Sequence, residues 1–460
     1  MSVTALLDLP RLRLQAASRS SSESSADTLF DNSTPICLQS IPLSPRNLTP
    51  VRKVGSGAFG SVYQVADISF DPATYSGQIP KPRFYALKVI PKLADNADSV
   101  WREREVLLRT TGSDWLCGFV GSWQDVANYY LLMDFVEGGD LMSLTTSVES
   151  GRRYLRNMIL NDYLEDIPDI TPREVQMIVA ELIIALEELH KRKIIHRDIK
   201  PRNILFDADG HVVLGDYGIS RDFNLPPSPS ALKESAPTLR HRVWNLARRR
   251  GKGRIGKEHT NAAYGSPAYM APEVWMGIPY SYEADFWSVG VLMYFLLVGR
   301  FPFDLDNCRD DSEIRDAIFW APFNLDWDQC GSDRVDSVAL DLMERMLKKA
   351  STRRLTVDEM KGHPYFDGID FGKVKAREYP GPMADKVSIR TASGRKRTQG
   401  PGPFSADSGL LGITGTTKGS HTSVSLDVGF DFDSLEYFPR RASSVRSKLI
   451  ARVEKLLQRM

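Results

Sequence analysis

The stretch RKIIHRDIKPRNILFDADG (residues 192–210) carries the strongest functional information in the chain, because it sets three polar side chains between apolar pairs. Asp198, Lys200 and Asn203 follow one another at spacings of two and three residues. They place a carboxylate, an ammonium group and a carboxamide on one loop. A reaction that uses all three groups needs further parts from elsewhere in the chain.

A second segment supplies a partner for this loop. VVLGDYGIS (residues 212–220) ends an apolar strand pattern with Asp216. Carboxylate and carboxamide oxygens are suitable ligands for magnesium, so Asn203 and Asp216 can hold a metal ion that bridges nucleotide phosphates. Asp198 can then accept a hydroxyl proton or orient the nucleophile, and Lys200 can neutralise the transferring phosphoryl group. Each residue alone fits an ordinary loop, but their order and spacing together favour phosphoryl transfer.

A glycine-rich segment lies upstream, VGSGAFGSVYQV (residues 54–65). The alternating apolar residues predict two strands joined by a turn, and glycines let a backbone approach phosphates closely. A turn without a ligand explains the glycines alone equally well. In a dinucleotide-binding fold a helix would follow, whereas residues 61–65 continue a strand pattern, which favours a hairpin over the phosphates.

Two further segments place a lysine and a glutamate within reach of each other. RFYALKVI (residues 83–90) alternates as a strand and holds Lys88 among apolar neighbours. DSVWREREVLLR (residues 98–109) is a predicted helix in which Glu103 and the apolar residues occupy different faces. Glu103 can therefore pair with Lys88, although a strand lysine can also point to solvent.

Composition limits the class of protein. The 460 residues have a formal net charge of +1 and 42% hydrophobic residues, which is ordinary for a soluble globular protein and gives no reason to expect specific nucleic-acid binding. The four cysteines include no CxxC pair, so neither a zinc site nor a disulfide framework is indicated. No window approaches the roughly eighteen apolar residues of a transmembrane helix. We expect a cytoplasmic or nuclear protein that is neither secreted nor membrane-spanning.

Taken together, the motifs resemble the eukaryotic protein kinases over residues 48–366. The resemblance covers the glycine loop, the strand lysine, the helix glutamate, and the segments HRDIKPRN (residues 196–203), DYG (residues 216–218) and APE (residues 271–273). It implies an α+β, two-lobed protein kinase fold. A small antiparallel-sheet lobe with one main helix is expected over residues 47–136, and a larger helical lobe over residues 137–366.

Other residues place the chain among the serine/threonine kinases. Lys200, two residues after Asp198, is the serine/threonine form of the loop, and GSPAYMAPE (residues 265–273) agrees with it. Asp285 in ADFWSVG also matches, and Arg354 in STRRL is the expected partner of Glu273 in APE. The resemblance implies transfer of the γ-phosphoryl group of ATP to hydroxyl groups of protein substrates, with Mg²⁺ as cofactor.

The site residues follow from the same resemblance. Met133 would be the gatekeeper, Asp134 and Val136 would form backbone hydrogen bonds with adenine, and Val62, Ala86 and Leu205 would sandwich the ring. The full predicted ATP site comprises Val54, Gly55, Gly57, Phe59, Gly60, Val62, Ala86, Lys88, Met133, Asp134, Val136 and Leu205. The predicted catalytic residues are Asp198, Lys200, Lys88 and Glu103, and the predicted metal ligands are Asn203 and Asp216.

Within the family, the chain looks most like the AGC group. MDFVEGGDLMSL (residues 133–144) and HPYFDGIDFGKVKAREYPGPM (residues 363–383) are typical of that group, whose catalytic domain is followed by a tail that returns to the small lobe. Tyr217 replaces the usual phenylalanine of DFG and keeps an aromatic ring. Ala262 stands where an activating threonine is usual, with Thr260 as the nearest acceptor, so activity without loop phosphorylation is an open alternative.

The segments outside the motifs differ in composition. We predict a disordered serine-rich region at 1–46, insertions near 143–166 and 222–260, and a largely disordered AGC-like tail at 367–442. The second insertion has eight Arg or Lys and no acidic residue between positions 240 and 257, which indicates a solvated loop or a patch for nuclear import or an anionic partner. Residues 443–460 are predicted to form a basic amphipathic helix that docks on the kinase domain or a partner, lies on a membrane, or stays unstructured.

Substrate choice is the last expectation. AGC kinases that prefer upstream arginine bind it with acidic side chains, and two of those positions hold Arg202 and Phe295 here, while Asp140 keeps its carboxylate. We therefore predict weak or no preference for the Arg-Arg-x-Ser pattern, with acidic or apolar upstream residues better tolerated. The alternative is that Arg202 points to solvent and Asp140 suffices. An inactive nucleotide-binding scaffold is the alternative function, and the intact motif residues disfavour it. The APE segment and Asp285 disfavour a small-molecule kinase.

Overall fold

The structure is a computed structural model that describes residues 48–57, 60–67, 83–93, 96–145, 169–226, 258–305, 308–321, 323 and 334–397. The predicted serine-rich region, most of both insertions, residues 398–442 of the tail, the C-terminal helix and Phe59 lie outside the described residues.

The amino-terminal part forms one antiparallel sheet with a helix against it. In chain order its elements are β1 (Leu48–Gly57), β2 (Gly60–Asp67), β3 (Phe84–Pro91), α1 (Ala97–Thr110), β4 (Phe119–Gln124) and β5 (Asn128–Asp134). The strands pair antiparallel in the order β1-β2-β3-β5-β4. Alternation along β3 and β5 buries Leu87 and Leu132 on one face and Leu131 on the other, where α1 contributes Val106 and Leu107. The predicted small lobe is confirmed.

The larger part is mainly helical. In chain order its elements are β6 (Gly139–Asp140), α2 (Leu141–Thr145), α3 (Pro172–Lys191), β7 (Ile194–Ile195), β8 (Ile204–Phe206), β9 (Val212–Leu214), β10 (Arg221–Asp222), α4 (Pro272–Met276), α5 (Glu283–Val298), α6 (Asp311–Trp320), α7 (Ser337–Met346), α8 (Val357–Lys361), α9 (Phe371–Lys375) and α10 (Ala384–Arg397). Short 3₁₀ turns occur at Pro201–Asn203, Pro267–Tyr269, Ser351–Arg353 and Pro364–Phe366.

Two long helices form the centre of this lobe. α3 begins with a capping box, in which Thr171 accepts from the backbone of Glu174 and the Glu174 carboxylate accepts from Thr171, with Pro172 in the first turn. α5 is apolar on all sides, and all but its first residue are buried, which is typical of a helix at the centre of a core. Gly299 caps the C-terminal end of α5, and its φ of 83° suits glycine.

Short strands carry the catalytic loops at the junction of the two lobes. β8 pairs with β6 and with β9, and β10 pairs with β7, all antiparallel. The segment 192–210 therefore enters through β7, turns through the loop with Asp198, and leaves through β8. This arrangement brings the end of β9, and with it Asp216, beside that loop.

The structure corrects the predicted tail over residues 367–397. This part was expected to be largely disordered, but α9 and α10 pack on the large lobe and bury Val374, Met383 and Val387, each 1% exposed. The backbone N–H of Met383 donates to the carbonyl of Gly210 at 3.2 Å. Met383, directly before α10, and Val387 within it are apolar residues at a spacing of four, and they form a short buried stripe that the surrounding polar composition concealed.

Both insertions are also shorter than predicted at the borders that the structure describes. The predicted first insertion began at 143, yet residues 143–145 belong to α2. The second was placed at 222–260, but Asp222 lies in β10 and Thr260 forms a bridge with Tyr280. No helix of the described ranges is long and apolar enough to cross a membrane.

Candidate active site

Lys88 lies at the centre of a buried network of charges. Its Nζ is 2.5 Å from Oε1 of Glu103 on α1 and 3.1 Å from Oδ1 of Asp216. Lys88 and Glu103 are 6% and 4% exposed. The alternative of a strand lysine that points to solvent is therefore wrong, and the predicted pair with Glu103 is formed.

The network fixes the charges of its members. Burial by itself lowers the pKa of Lys88, but the carboxylates of Glu103 and Asp216 reverse this effect and raise the pKa above its ordinary value. The Lys88 ammonium in turn lowers the pKa of Asp216 against the opposing effect of burial. Lys88 is thus a cation and Asp216 an anion at neutral pH.

Asp198 is oriented by hydrogen bonds from both sides. Its Oδ2 accepts from Lys200 Nζ at 2.7 Å and from Asn203 Nδ2 at 3.0 Å. Its Oδ1 accepts from the hydroxyl and the backbone N–H of Ser266, at 2.8 and 3.1 Å. Lys200 also donates to Ser266 Oγ at 2.9 Å. The sequence analysis missed Ser266, although it lies inside the quoted segment GSPAYMAPE.

Asp285 holds the backbone of the catalytic loop. This carboxylate is fully buried and accepts from the backbone N–H groups of His196 and Arg197 at 2.9 and 2.8 Å, and it lies 2.8 Å from His190 Nε2. Arg197 has a φ of 69°, a left-handed conformation that arginine rarely adopts. Asp198 follows directly, so the position of its carboxylate depends on this anchor.

His196 connects the catalytic loop with the segment that carries Asp216. Its Nδ1 accepts from the backbone N–H of Asp198 at 3.2 Å, and its Nε2 donates to the carbonyl of Gly215 at 3.0 Å. A neutral ring with its proton on Nε2 satisfies both bonds. Burial lowers the pKa of His196, which agrees with the neutral form.

The donor set of Asn203 and Asp216 fits a magnesium ion that shares its coordination with phosphates. Asn203 uses its Nδ2 on Asp198, so its Oδ1 remains as the ligand atom. The Asp216 side chain is 43% exposed in the cleft, and only one of its oxygens contacts Lys88. Within the described part of the chain, no group of three or more His, Cys, Asp or Glu residues is arranged to hold a metal ion. Mg²⁺ commonly takes one or two protein ligands and completes its shell with phosphates and water.

A cavity of about 350 Å³ lies between the two lobes, beside these residues. Its lining includes the predicted Val54, Gly55, Gly60, Val62, Ala86, Lys88, Met133, Asp134, Val136 and Leu205, together with Glu103, Lys200, Asn203 and Asp216. Gly57 lies in β1. At the edge of the cavity the backbone N–H of Asp134 is taken by Gly118 O at 3.1 Å, whereas Val136 N–H has no acceptor among the described residues.

The sequence motifs did not predict all of the lining residues. Arg52, Cys117, Gly139 and Arg390 all contribute to the wall, the last from α10. Burial raises the pKa of the Cys117 thiol to about 12, so it is a neutral wall residue at physiological pH. Arg390 is separated by more than 240 residues from the Ser143 that it contacts, and no local pattern connects them.

Comparison with protein families gives the same result as the geometry. Residues 48–366 match the model of the protein kinase domain. The chain belongs to the protein kinase family. Its two-lobed fold and its serine/threonine type, with AGC-like character, are thereby confirmed.

Three curated kinases illustrate the relationship. Mouse ribosomal protein S6 kinase alpha-4 is 28% identical over 75% of this chain and 38% of its own length. Serine/threonine-protein kinase CBK1 of Candida albicans is 30% identical over 77% of this chain and 47% of its own length. Serine/threonine-protein kinase Warts of Drosophila melanogaster is 30% identical over 72% of this chain and 28% of its own length. The kinase therefore spans less than half of these relatives.

The kinase domain also contains the predicted ion pair behind the active site. The guanidinium of Arg354 forms two bonds with the Glu273 carboxylate, one of them 2.7 Å from Nη2 to Oε2. Both residues are buried, and Arg354 lies 4.9 Å from the centre of the Trp287 ring. The pair ties the APE segment to the base of the large lobe.

Arg197, next to the catalytic Asp198, is satisfied without a phosphate. Its Nε donates to the carbonyl of Ile219 at 2.6 Å and its Nη2 to that of Ser220 at 3.3 Å. The guanidinium lies 5.1 Å from the ring centre of Tyr264. Ala262, at the usual position of the activating threonine, is buried and its carbonyl accepts from Tyr280 Oη at 2.6 Å.

The three positions linked to substrate choice differ in their surroundings. Arg202 is exposed and lines the cavity. Asp140 also lines the cavity. Phe295 is 2% exposed and stacks on Phe301 with a centroid distance of 5.5 Å, so it offers no polar group to a substrate.

Proposed function

We propose that the protein is an ATP-dependent serine/threonine protein kinase, which transfers the γ-phosphoryl group of ATP to hydroxyl groups of proteins. The observation that carries this proposal is the juxtaposition of two networks across one cavity. Lys88 is paired with Glu103 and Asp216 on one side, and Asp198 is oriented by Lys200 and other donors on the opposite side.

The catalytic loop performs the steps at the hydroxyl. Asp198 accepts the proton of the substrate hydroxyl, or orients that hydroxyl for attack, since its two oxygens are held by donors from both sides. Lys200 supplies positive charge next to the transferring group while it stays bonded to Asp198. Ser266, in the segment GSPAYMAPE (residues 265–273), positions the Asp198 carboxylate through two hydrogen bonds.

ATP and magnesium fit the remaining groups. Val62, Ala86 and Leu205 supply apolar walls for adenine, and Lys88 supplies a fixed cation for the phosphates. Asn203 and Asp216 are the residues that would hold Mg²⁺. When bound, the ion neutralises the phosphate charge that develops during transfer.

Phosphotransfer by the purified full-length protein tests the proposal. We expect Asp198→Asn to lower transfer to a generic protein substrate by orders of magnitude, because catalysis here depends on positioning and charge. The thermal stabilisation caused by ATP and magnesium should remain, since Asp198 is outside the adenine pocket. Asp209→Asn is the matched control, with the same chemical change on an exposed turn. Wild-type rates in Asp198→Asn, or no transfer by the wild type, would contradict the proposal.

We also propose that residues 443–460 dock on the kinase domain or on a partner protein. The support is compositional: Leu449, Val453 and Leu456 recur at helical spacing with basic residues between them, just after the RRASS motif (residues 440–444). Deletion of residues 439–460 should change activity or location, and an unchanged enzyme in an unchanged location would refute the docking. A cytoplasmic or nuclear location stays a prediction.

A further inference from the structure

Three arginines surround the mouth of the nucleotide cleft. Arg52 comes from β1, Arg202 from the catalytic loop and Arg390 from α10, and all three line the same cavity. None of them forms an ion pair with a carboxylate within the described ranges, whereas the two lysines deeper in the cleft, Lys88 and Lys200, are both paired. Positive charges at the entrance that have no carboxylate partner within the described ranges are available to a substrate.

Arg390 is held in a defined position by the docked helix. Val387, one turn earlier in α10, is buried against Gly138. The Arg390 guanidinium donates to Ser143 Oγ at 2.6 Å and more weakly to the carbonyl of Gly138 at 3.4 Å. It lies so close to Gly139 that any side chain there would collide with it. Its positive charge therefore lies at the edge of the cleft, beside Gly139 and Ser143.

Arg390 lies beside Asp140. The resemblance to the AGC kinases connects the carboxylate of Asp140 with the binding of basic substrates. The backbone N–H of Ser143 donates to Asp140 Oδ1 at 3.0 Å, and the hydroxyl of the same Ser143 accepts from Arg390. Asp140 and Arg390 thus share one residue as a hydrogen-bond partner. A substrate arginine that approaches Asp140 meets the guanidinium of Arg390 as well as the exposed Arg202.

Arg52 adds positive charge from the opposite lobe. Its Nε donates to Gln64 Oε1 at 2.8 Å, and burial together with the charge of Arg390 lowers the pKa of Arg52. Arg52 and Arg390 line the same cavity, the first from β1 and the second from α10. Like charges that line one cavity are stabilised by an anion between them.

Besides Glu103 and Asp216, which are paired with Lys88, three carboxylates line the same cavity. Glu137 is exposed and forms no hydrogen bond among the described residues. Asp134 accepts from the backbone N–H of Gly118 through Oδ2, and Asp140 is engaged by Ser143.

We propose that this kinase selects protein substrates that carry anionic side chains, aspartate, glutamate or phosphoserine, on the N-terminal side of the phosphorylated hydroxyl. Arg390 is the specificity-determining residue that the tail helix contributes, acting together with Arg202 and Arg52. The inference rests on the proposed kinase activity and names the substrate class for it.

Arrayed peptides measure the selection directly. Each position from two to five residues upstream of a serine carries arginine, alanine, glutamate or phosphoserine in turn, and kcat/KM is determined with full-length wild type. We expect glutamate or phosphoserine to exceed arginine by about fivefold or more at one of these positions, from one or two partly exposed charge pairs. Selection of phosphoserine alone supports the proposal for substrates that are already phosphorylated.

Charge reversal assigns the selection to Arg390. In Arg390→Glu the acidic preference should disappear or invert. Lys375→Glu is the matched control, because it makes the same charge change on an exposed residue of α9 outside the cleft lining. Selection of arginine by the wild type, or identical profiles for Arg390→Glu and Lys375→Glu, overturns the proposal.

A binding experiment separates this inference from the kinase activity itself. Fluorescence anisotropy with labelled acidic and basic peptides on the full-length Asp198→Asn protein requires no turnover. Tighter binding of the acidic peptide supports the inference, and equal or weaker binding refutes it, whatever the rates show. Transfer that is abolished by Asp198→Asn but lacks acidic selection leaves the proposed function intact and removes only the substrate class.

Discussion

Replacing Asp285 with asparagine should destabilise the kinase domain strongly, because the carboxylate is fully buried and satisfies two backbone donors of the catalytic loop. Its oxygens accept from His196 N–H and Arg197 N–H at 2.9 and 2.8 Å. An asparagine has one oxygen and one NH₂ group. Whichever way it points, one backbone N–H loses its acceptor and faces another donor.

The expected loss in the free energy of unfolding follows from these hydrogen bonds. A buried donor left without an acceptor costs about 1–3 kcal/mol, and the surviving bond to a neutral oxygen is weaker than one to a carboxylate. Arg197, at a φ of 69°, also loses part of what holds its left-handed conformation. We expect a loss of about 3 kcal/mol in the free energy of unfolding, which is a large fraction of the roughly 5–15 kcal/mol of a typical domain.

Urea denaturation at pH 7 and steady-state kinetics measure the two consequences. The urea midpoint of Asp285→Asn should fall well below that of the wild type, and kcat should fall at least about tenfold at a temperature where the variant is folded, since Asp198 directly follows the anchored residues. Asp341→Asn is the control, because its side chain is 45% exposed and its ion pairs should contribute about 1 kcal/mol or less. If the two variants have similar urea midpoints, or if Asp285→Asn keeps wild-type kcat, the assigned anchoring role is wrong.

Three further predictions concern pH, the aromatic residue of DYG, and loop phosphorylation. Burial lowers the pKa of His196 below its usual 6.5, so below that pH the unfolded chain binds a proton that the folded chain resists. The urea midpoint should fall between pH 7 and pH 5.5, and the fall should be smaller in His196→Gln. Tyr217→Phe removes a hydrogen bond of 2.7 Å to the carbonyl of Leu214 and should lower stability by about 1 kcal/mol in thermal denaturation, with kcat within a few-fold of wild type. Thr260→Ala, or phosphatase treatment of the wild type, should leave most of the kinase activity, because Arg197 is already bonded to backbone carbonyls; loss of nearly all activity after either treatment would contradict this reasoning.

Much of the active site could be predicted from sequence because its groups are close together along the chain. Asp198, Lys200 and Asn203 lie on one loop whose length is set by the flanking apolar pairs, and Asp216 ends the adjacent strand. The alternation of β3 likewise predicts a strand around Lys88. These features depend on local spacing and strand periodicity, which the chain expresses without reference to distant residues.

The orientation of these groups depends on contacts between distant segments. Lys88 had two open orientations, and only the packing of α1 against the sheet directs it to Glu103, 15 residues away. Ser266 reaches Asp198 across 68 residues, and Asp285 reaches Arg197 across 88. Such pairs form after helices and loops have packed, so no local sequence pattern identifies the two partners.

The tail shows the same division most clearly. The sequence alone determined that this is a two-lobed kinase with a complete set of catalytic groups, because each motif joins a residue type to a fixed spacing. Only the tertiary structure decided that residues beyond the kinase domain belong to its cleft. Met383, directly before α10, and Val387 in α10 are both buried. The docked helix thereby brings Arg390 to Ser143, 247 residues earlier in the chain. A short apolar stripe in a polar segment gives weak information on its own, and its binding energy exists only when the matching surface of the large lobe has formed.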